Sequence, residues 1–294
     1  VALVYKDEIM MKFYKYQGAG NDFLIADNRD ASITEKDGVL HCGAWSMAVS
    51  QLCDRRYGIG ADGLMLLEAC AEADFRMTYF NSDGSGGMMC GNGGRCIVAF
   101  AADRGIDHFD FMAADGFHTA EIVSADSGQK VVRLKMKDVS GMERYEQLSG
   151  VMSPSKGCFL DTGTRHYVRF VQDVEVYDVV SEGRDIRYNA SELQPAGANV
   201  NFVQQEEKVI KVRTYEKGVE DETFACGTGI VASCIAAYNE GFAPTYIYKD
   251  DFRVRFDVLA KRDPLAVDFI PGDSGSAMDV WLTGPAAYVA EINL

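Results

Sequence analysis

The sequence predicts an α/β (α+β) protein that is dominated by strands and built from two similar domains. Its 294 residues are 47% hydrophobic, which is enough for a sizeable core in one large domain or two of medium size. Alternating and apolar runs typical of strands recur along the chain, whereas long helical patterns are few. A cysteine, a Gly-x-Gly step and a helical segment occur twice, 136 residues apart, which indicates an internal duplication.

The first half alternates strands with glycine-rich turns. The residues after Cys90 predict a helix that ends at Gly105, because glycine commonly follows the last turn of a helix. We expect another helix over residues 44–54, before the glycine-rich loop RRYGIGADG at residues 55–63. The predicted strands cover residues 11–17, 23–27, 64–69, 73–80, 110–115, 117–124 and 130–137.

The second half has a similar order of predicted elements and contains the second cysteine motif. CGNGGRCIVAFAADRG (residues 90–105) and CGTGIVASCIAAYNEG (residues 226–241) share Cys-Gly-x-Gly and have equal length. We expect an acidic helical segment before residue 198 and further strands after residue 241. The other predicted strands cover residues 158–163, 166–171, 198–204 and 209–217.

Charge and hydropathy exclude several classes of protein. The formal net charge of -15 opposes attraction to nucleic acid or to anionic membrane surfaces. No apolar run approaches the roughly 20 residues of a membrane helix, and the start lacks the pattern of a signal peptide. We therefore expect a cytoplasmic protein without nucleic-acid or membrane partners. Met10 and Met11 suggest that residues 1–10 are an N-terminal extension.

The cysteines predict neither a disulfide framework nor a metal site. Eight cysteines are diluted through a long chain, no CxxC pair occurs, and the four histidines do not cluster. Most of these thiols are expected to be small buried hydrophobic groups.

Cys90 and Cys226 differ because each stands directly before a predicted helix. The free N–H groups and the dipole of a helix start stabilise negative charge, so we expect the pKa of these thiols to fall below that of a free cysteine. The same N–H groups can hold a carboxylate. If the two thiols face each other, one removes a proton from a carbon and the other delivers a proton from the opposite side. This chemistry inverts a stereocentre.

At these residues the sequence resembles the diaminopimelate epimerase family. The resemblance extends from Met11 over nearly the whole chain. It rests on GAGNDF, RRYGIGADG, FNSDGS, CGNGGR, TG-x-x-HYV, ANVNF, TYEKG, ETFACGTG and WLTGPA, in this order.

The resemblance implies two pseudo-symmetric domains, each a mostly antiparallel or mixed sheet wrapped around a central helix. The domains would be residues 11–136, completed by the C-terminal strand 285–294, and residues 137–284. The implied activity interconverts L,L- and meso-diaminopimelate, a small-molecule substrate, in lysine and peptidoglycan precursor biosynthesis. It implies no cofactor and no metal, and a possible homodimer.

The resemblance also implies roles for individual residues. Cys90 and Cys226 would be the acid–base pair, and His166 and Glu216 would tune their thiols. The expected substrate-binding residues are Asn21, Asn81, Gly91, Asn92, Thr164, Asn199, Glu216, Lys217, Gly227 and Thr228.

Four departures from the family pattern concern the far end of the substrate. Lys217 replaces an arginine, which keeps the charge but loses the bidentate fork. The loop EKGVEDET is one residue longer than the common form. Thr164 replaces an asparagine, with Arg165 beside it, and Gly63 stands where some members have glutamine.

Three alternatives stay open at this point. A racemase or isomerase of the same fold, related to proline and hydroxyproline racemases or phenazine-biosynthesis isomerases, is disfavoured by GAGNDF. The two cysteines would otherwise be a redox pair, which we expect only as an inactivated state. A pure binding protein is disfavoured because it has no use for two such thiols.

Overall fold

The chain divides into two units, which a computed structural model describes over residues 11–87, 89–126 and 128–294. Within these residues, unit 1 holds the chain up to residue 89, residues 93–132 and residues 286–294. Unit 2 holds residues 90–92 and 133–285. The expected N-terminal extension, 1–10, lies outside the described residues. The domain limits expected from the resemblance stay predictions.

Strands are the main elements of both units. They are β1 Lys12–Gly18, β2 Asn21–Asp27, β3 Thr34–Lys36, β4 Val39–Cys42, β5 Trp45–Ala48, β6 Gly63–Glu68, β7 Phe75–Asn81, β8 Asp110–Ala113, β9 Gly116–Asp126, β10 Gln129–Lys135, β11 Met142–Tyr145, β12 Gly157–Asp161, β13 Arg165–Phe170, β14 Asn199–Glu206, β15 Val209–Glu216, β16 Asp221–Thr223, β17 Tyr246–Ile247, β18 Val254–Leu259, β19 Pro264–Pro271 and β20 Ala277–Asn293. The α-helices are α1 Val49–Cys53, α2 Gly91–Asp103, α3 Val179–Asn189 and α4 Gly227–Asn239.

The sheet of unit 1 alternates antiparallel and parallel steps. β1 pairs with β2 antiparallel, β2 with β6 parallel, and β6 with β7 antiparallel. β7 then pairs with β8 parallel, and β8 with β9 antiparallel. The end of β20 pairs antiparallel with β1, from Lys12 opposite Asn293 to Gln17 opposite Ala287.

The sheet of unit 2 has the same sequence of steps. β12 to β13 is antiparallel, β13 to β14 parallel, and β14 to β15 antiparallel. β15 to β18 is parallel and β18 to β19 antiparallel. Parallel neighbours need a long crossover, and the crossovers contain α1 and α2 in unit 1 and α3 and α4 in unit 2. The two units repeat one topology, and the predicted fold class is confirmed.

Each cysteine motif opens onto a helix that is buried on all sides. In α2 the side chains from Cys96 to Ala101 are fully buried, and Tyr14 and Tyr16 contact the ring of Phe100. In unit 2, α4 packs against β12, β13, β14, β15 and β19. A helix that is apolar all round has to be enclosed. Both helices are therefore enclosed, as the family resemblance implies.

The expected helix over residues 44–54 is only partly correct. The helix is α1, and the preceding residues form β5, which pairs with β4 so that Leu40 lies opposite Met47. Trp45 and Met47 pack against the cluster around the fully buried Leu40. Burial of these apolar side chains in a short hairpin outweighs their capacity to extend the helix. β3, β4, β11 and β16 are further strands that the sequence analysis does not predict.

The loop RRYGIGADG lies tightly against α1. A Cβ atom on Gly58 would stand 1.9 Å from the carbonyl oxygen of Gln51 and 2.9 Å from that of Leu52. These are backbone atoms, which cannot move aside as a flexible side chain can. Gly58 is therefore required by the close approach of two backbone segments.

We expect Gly58→Ala to lower the free energy of unfolding by about 1–3 kcal/mol, since overpacking against backbone strains the loop. Gly86→Ala is the matched control, because a Cβ there meets no atom within 4 Å. Urea denaturation of the two variants measures the difference. Equal stability of the two variants would contradict this account of the loop.

Candidate active site

The two cysteine motifs meet within unit 2. Cys90 directly precedes α2 and Cys226 directly precedes α4. The side-chain amide of Asn92 donates to the carbonyl oxygen of Ala225 over 2.9 Å. A Cβ on Gly227 would lie 3.3 Å from the Cα of Gly91. The starts of the two helices are therefore in direct contact.

Cys226 is held as a protonated thiol. It is 8% exposed, and burial, together with the carboxylate of Glu216, raises its pKa to about 12. The hydroxyl of Thr228, 3.5 Å from Sγ, and the N–H of Gly229 act in the opposite direction. The expectation that the pKa of this thiol falls below that of free cysteine is wrong for Cys226. Loss of hydration costs the thiolate more than the helix start contributes.

A buried polar network lies beside Cys226. His166 is fully buried, and burial lowers the pKa of its imidazole to about 3, so the ring is neutral. Its Nε2 lies 2.9 Å from Oγ1 of Thr164 and 2.9 Å from Oγ1 of Thr228. The two hydroxyls are themselves 2.9 Å apart. The structure thus brings together three predicted site residues and joins them to Cys226 through Thr228.

Asn201 completes this network from the other side of the imidazole. Its side-chain amide lies 3.1 Å from Nδ1 of His166 and donates to the carbonyl oxygen of Tyr167 over 3.2 Å. Its oxygen accepts from the hydroxyl of Thr214 over 2.9 Å. The sequence analysis missed Asn201, although it lies two residues after Asn199 in ANVNF. A polar residue at a core position of a strand is the signal that points to it.

Asn199 and Glu216 hold the loop that carries Lys217. The side-chain oxygen of Asn199 accepts from the N–H of Lys217 over 2.8 Å, and its amide donates to the carbonyl of Arg165 over 3.2 Å. Glu216 accepts from the hydroxyl of Thr223 over 2.8 Å. The side chain of Lys217 is exposed. The ends of β13, β14 and β15 thereby form one hydrogen-bonded group.

Arg165 takes a structural role in the same unit. Its guanidinium donates to the carbonyl oxygens of Gly197 over 2.9 Å and Leu193 over 3.2 Å, and it stacks over the ring of Phe159. These contacts tie the loop after α3 to β13. They account for the positive side chain that follows Thr164.

Asn21 and Asn81 lie in unit 1, each held by a neighbouring loop. The amide of Asn21 donates to Asp62 over 3.0 Å. Arg55 binds Asp62 over 2.7 Å and also binds Asp22, so it joins the GAGNDF turn to RRYGIGADG. The amide of Asn81 donates to the hydroxyl of Ser85 over 3.0 Å. The sequence analysis identified both motifs but not the ion pair that joins them.

Over the described ranges, no group of three or more His, Cys, Asp or Glu side chains is arranged to hold a metal ion. Within the same part of the chain, no helix is long and apolar enough to cross a membrane.

The fold is shared with solved structures of low sequence identity. A PhzF-family phenazine biosynthesis protein from Bacillus anthracis matches with a TM-score of 0.69, covering 98% of this chain and 99% of that chain at 16% identity. This likeness shows the fold that the chain shares with that protein.

Sequence comparisons identify a family. The family described as diaminopimelate epimerase matches residues 13–139 and 158–257. A diaminopimelate epimerase from Flavobacterium psychrophilum is 39% identical, covering 97% of this chain and 100% of that protein. One from Aquifex aeolicus is 40% identical and covers 96% of both chains. The chain belongs to the diaminopimelate epimerase family.

Burial of neutral His166 makes stability depend on pH. Its pKa is about 3 in the folded chain, against 6.5 for an unperturbed histidine. Between these values the unfolded chain binds the proton and the folded chain does not, so stability rises with pH. We expect this residue to contribute a slope of up to about 1.4 kcal/mol per pH unit below pH 6.5.

Urea denaturation of the wild type and His166→Gln between about pH 4.5 and 6.5 measures this slope. The variant should show a flatter dependence, whereas His108→Gln, at an exposed histidine, should match the wild type. Equal slopes for the wild type and His166→Gln would show that the imidazole is charged in the folded chain.

Proposed function

We propose that this chain interconverts L,L- and meso-diaminopimelate with Cys90 and Cys226 as the two acid–base groups. The observation that supports it most directly is the contact between the two cysteine motifs in unit 2, with Cys226 held as a protonated thiol. Membership of the diaminopimelate epimerase family supports the choice of substrate.

The proposed reaction moves one proton off a carbon and another onto it. The Cys90 thiolate takes the α-proton, the electron pair of the C–H bond stays on carbon, and the Cys226 thiol protonates the opposite face. Cys90 then carries the proton and Cys226 the negative charge, so the reverse reaction exchanges their roles. Neither step needs an oxidant or an added group.

Negative charge that develops beside the reacting carbon needs preorganised donors. We propose that the backbone N–H groups of Gly91, Asn92, Gly227 and Thr228 bind the reacting carboxylate, because both helix starts present such groups. Asn21, Asn81 and Asn199 remain proposed contacts to the substrate, carried over from the resemblance. Thr164 and Glu216 likewise remain proposed contacts to the substrate, and His166 and Glu216 are proposed to tune the thiols.

Two wider expectations belong to the same proposal. We propose a cytoplasmic location, since two thiols that must stay reduced suit a reducing compartment. We also propose a homodimer, from the family resemblance alone. Sedimentation equilibrium of the full chain tests the second.

We expect solvent deuterium to enter the α-carbon of L,L-diaminopimelate with inversion in reducing buffer, as followed by NMR. Cys90→Ser and Cys226→Ser should each lose at least about 10²-fold in rate, since each removes a positioned acid or base. Cys70→Ser is the control, because this thiol lies in unit 1 and contacts Glu72. Exchange with proline in preference to diaminopimelate would instead establish the alternative of another substrate.

Lys217 is the proposed partner of the distal carboxylate of the substrate. We expect Lys217→Met to raise KM about tenfold with little change in kcat, because one exposed ion pair supplies binding equally before and during reaction. Lys217→Arg should keep or lower KM, since the guanidinium binds carboxylate bidentately. Lys208→Met, at another exposed lysine, should leave KM unchanged. An unchanged KM in Lys217→Met would exclude this contact.

A further inference from the structure

We propose that Asn201 is a positioning residue: it fixes the direction of a hydrogen-bond chain that runs through His166 and Thr228 to the sulfur of Cys226. The inference rests on the proposed function in one respect, that the thiol it controls is one of the two reacting groups. Asn201 itself lies behind the imidazole and is fully buried.

The orientation of the Asn201 amide follows from its neighbours. Its nitrogen lies 3.2 Å from the carbonyl oxygen of Tyr167, which can only accept. If the amide were flipped, its oxygen would face the carbonyl oxygen of Tyr167, and two acceptors would meet in a buried site. The hydroxyl of Thr214, 2.9 Å from Oδ1, donates to the oxygen in the orientation that remains. The amide nitrogen therefore also donates to His166, 3.1 Å away.

This donor determines the tautomer of His166. Nδ1 accepts from the Asn201 amide, so it has no proton in a neutral ring. Burial keeps the ring neutral by lowering its pKa. The single ring proton therefore lies on Nε2, which faces the hydroxyls of Thr164 and Thr228.

A count of protons favours the same tautomer. Four contacts each need a hydrogen atom: Nε2 to each of the two hydroxyls, one hydroxyl to the other, and Thr228 to Sγ. With a proton on Nε2, three protons serve them: the ring N–H is shared by both hydroxyls, Thr164 donates to Thr228, and Thr228 donates to Sγ. With a bare Nε2, the two hydroxyls and the Cys226 thiol supply three protons, but the two hydroxyls then donate to Nε2 and the thiol to Thr228, so the contact between the hydroxyls has no hydrogen.

The hydrogen-bond chain ends at the sulfur of Cys226. The Thr228 hydroxyl lowers the pKa of this thiol, against burial and against the charges that face it, Glu216 from β15 and Cys90 from the start of α2. A hydrogen bond to a charged acceptor is stronger than one to a neutral acceptor. The chain therefore favours the thiolate that Cys226 becomes once it has given up its proton.

Helix α4 is seated directly on this network. A Cβ on Gly229 would stand 2.3 Å from Oδ1 of Asn201 and 3.2 Å from Cε1 of His166. The second glycine of the CGTG motif is needed because no side chain fits there. The distance from Asn201 to Cys226 is consequently set by direct contact between β14, β13 and the first turn of α4.

The first measurement is the tautomer of His166 in the wild-type protein, by long-range ¹H–¹⁵N NMR with assignment from His166→Gln. The neutral ring with its proton on Nε2 is the expected result. A proton on Nδ1, or a charged imidazolium at neutral pH, overturns the inference. This measurement requires no substrate.

The second measurement compares three variants of the full chain by the alkylation rate of the Cys226 peptide at mildly alkaline pH, with iodoacetamide and mass spectrometry. Thr228→Val removes the final hydroxyl, and Asn201→Asp gives Nδ1 an acceptor and so moves the ring proton to Nδ1. Each should slow alkylation about tenfold, since the thiolate loses a hydrogen bond to a charged atom. If both variants slow alkylation, the carboxylate that Asn201→Asp adds is not the sole cause, because Thr228→Val adds no charge.

Thr214→Val is the matched control. It removes a buried hydrogen bond from Asn201 but leaves the donor to His166 in place, so it should lower stability without changing alkylation. Circular dichroism and urea denaturation report whether each variant folds. Alkylation that is equal in Asn201→Asp, Thr228→Val and the wild type, or equally slowed in Thr214→Val, overturns the inference.

Turnover separates this inference from the proposed function. Asn201→Asp should lower kcat on diaminopimelate about tenfold and shift its pH profile, with KM nearly unchanged. If the wild type fails to turn over diaminopimelate while the tautomer and alkylation results are as expected, the proposed function fails and the chain through Asn201 stands. If diaminopimelate is turned over but the tautomer and alkylation results are not as expected, the inference about Asn201 fails and the proposed function stands.

Discussion

The arrangement of the second cysteine motif depends on one constraint, which is that the uncharged imidazole of His166 is buried under the first turn of α4. A neutral ring in a buried site needs one donor and one acceptor. β14 supplies the donor through Asn201, while α4 supplies the hydroxyl of Thr228 and the residue before β13 supplies that of Thr164. Every residue between the strand and the sulfur is then fixed by a partner. The close approach that permits these bonds is also what excludes a side chain at Gly229.

Burial and the helix start have opposite effects on the pKa of Cys226, and their sizes decide whether the group is a thiol or a thiolate. A helix start contributes about 1 kcal/mol toward a negative charge, whereas removal of a thiolate from water costs several times more. Burial therefore outweighs the helix, and the group rests as a thiol, which is the state that a proton donor requires. Hydrogen bonds from Thr228 and Gly229 limit this cost without cancelling it. The balance makes the group a weak acid in the folded chain.

The repeated motif and the runs of apolar residues were sufficient to predict two similar, strand-dominated domains, the helices after Cys90 and Cys226 and most strands, whereas the placement of those helices inside the sheets came from the family resemblance. The sequence analysis failed where pairing with a neighbour decided the structure: residues 45–48 form β5 because β4 lies beside them. In the site, position in a motif identified Thr164, His166 and Thr228 but not what they touch. Asn201 was missed because its importance lies in the tautomer of a residue on a different strand. The direction of the thiol pKa was wrong because burial is a property of the folded chain.

The bond from Asn92 to the carbonyl of Ala225 has a mechanical consequence. It connects the residues around one cysteine to the residue just before the other, and residues 90–92 and the start of α4 belong to one compact unit. One side-chain amide thereby anchors the segment that carries Cys90 to the segment that carries Cys226, across 133 residues of sequence.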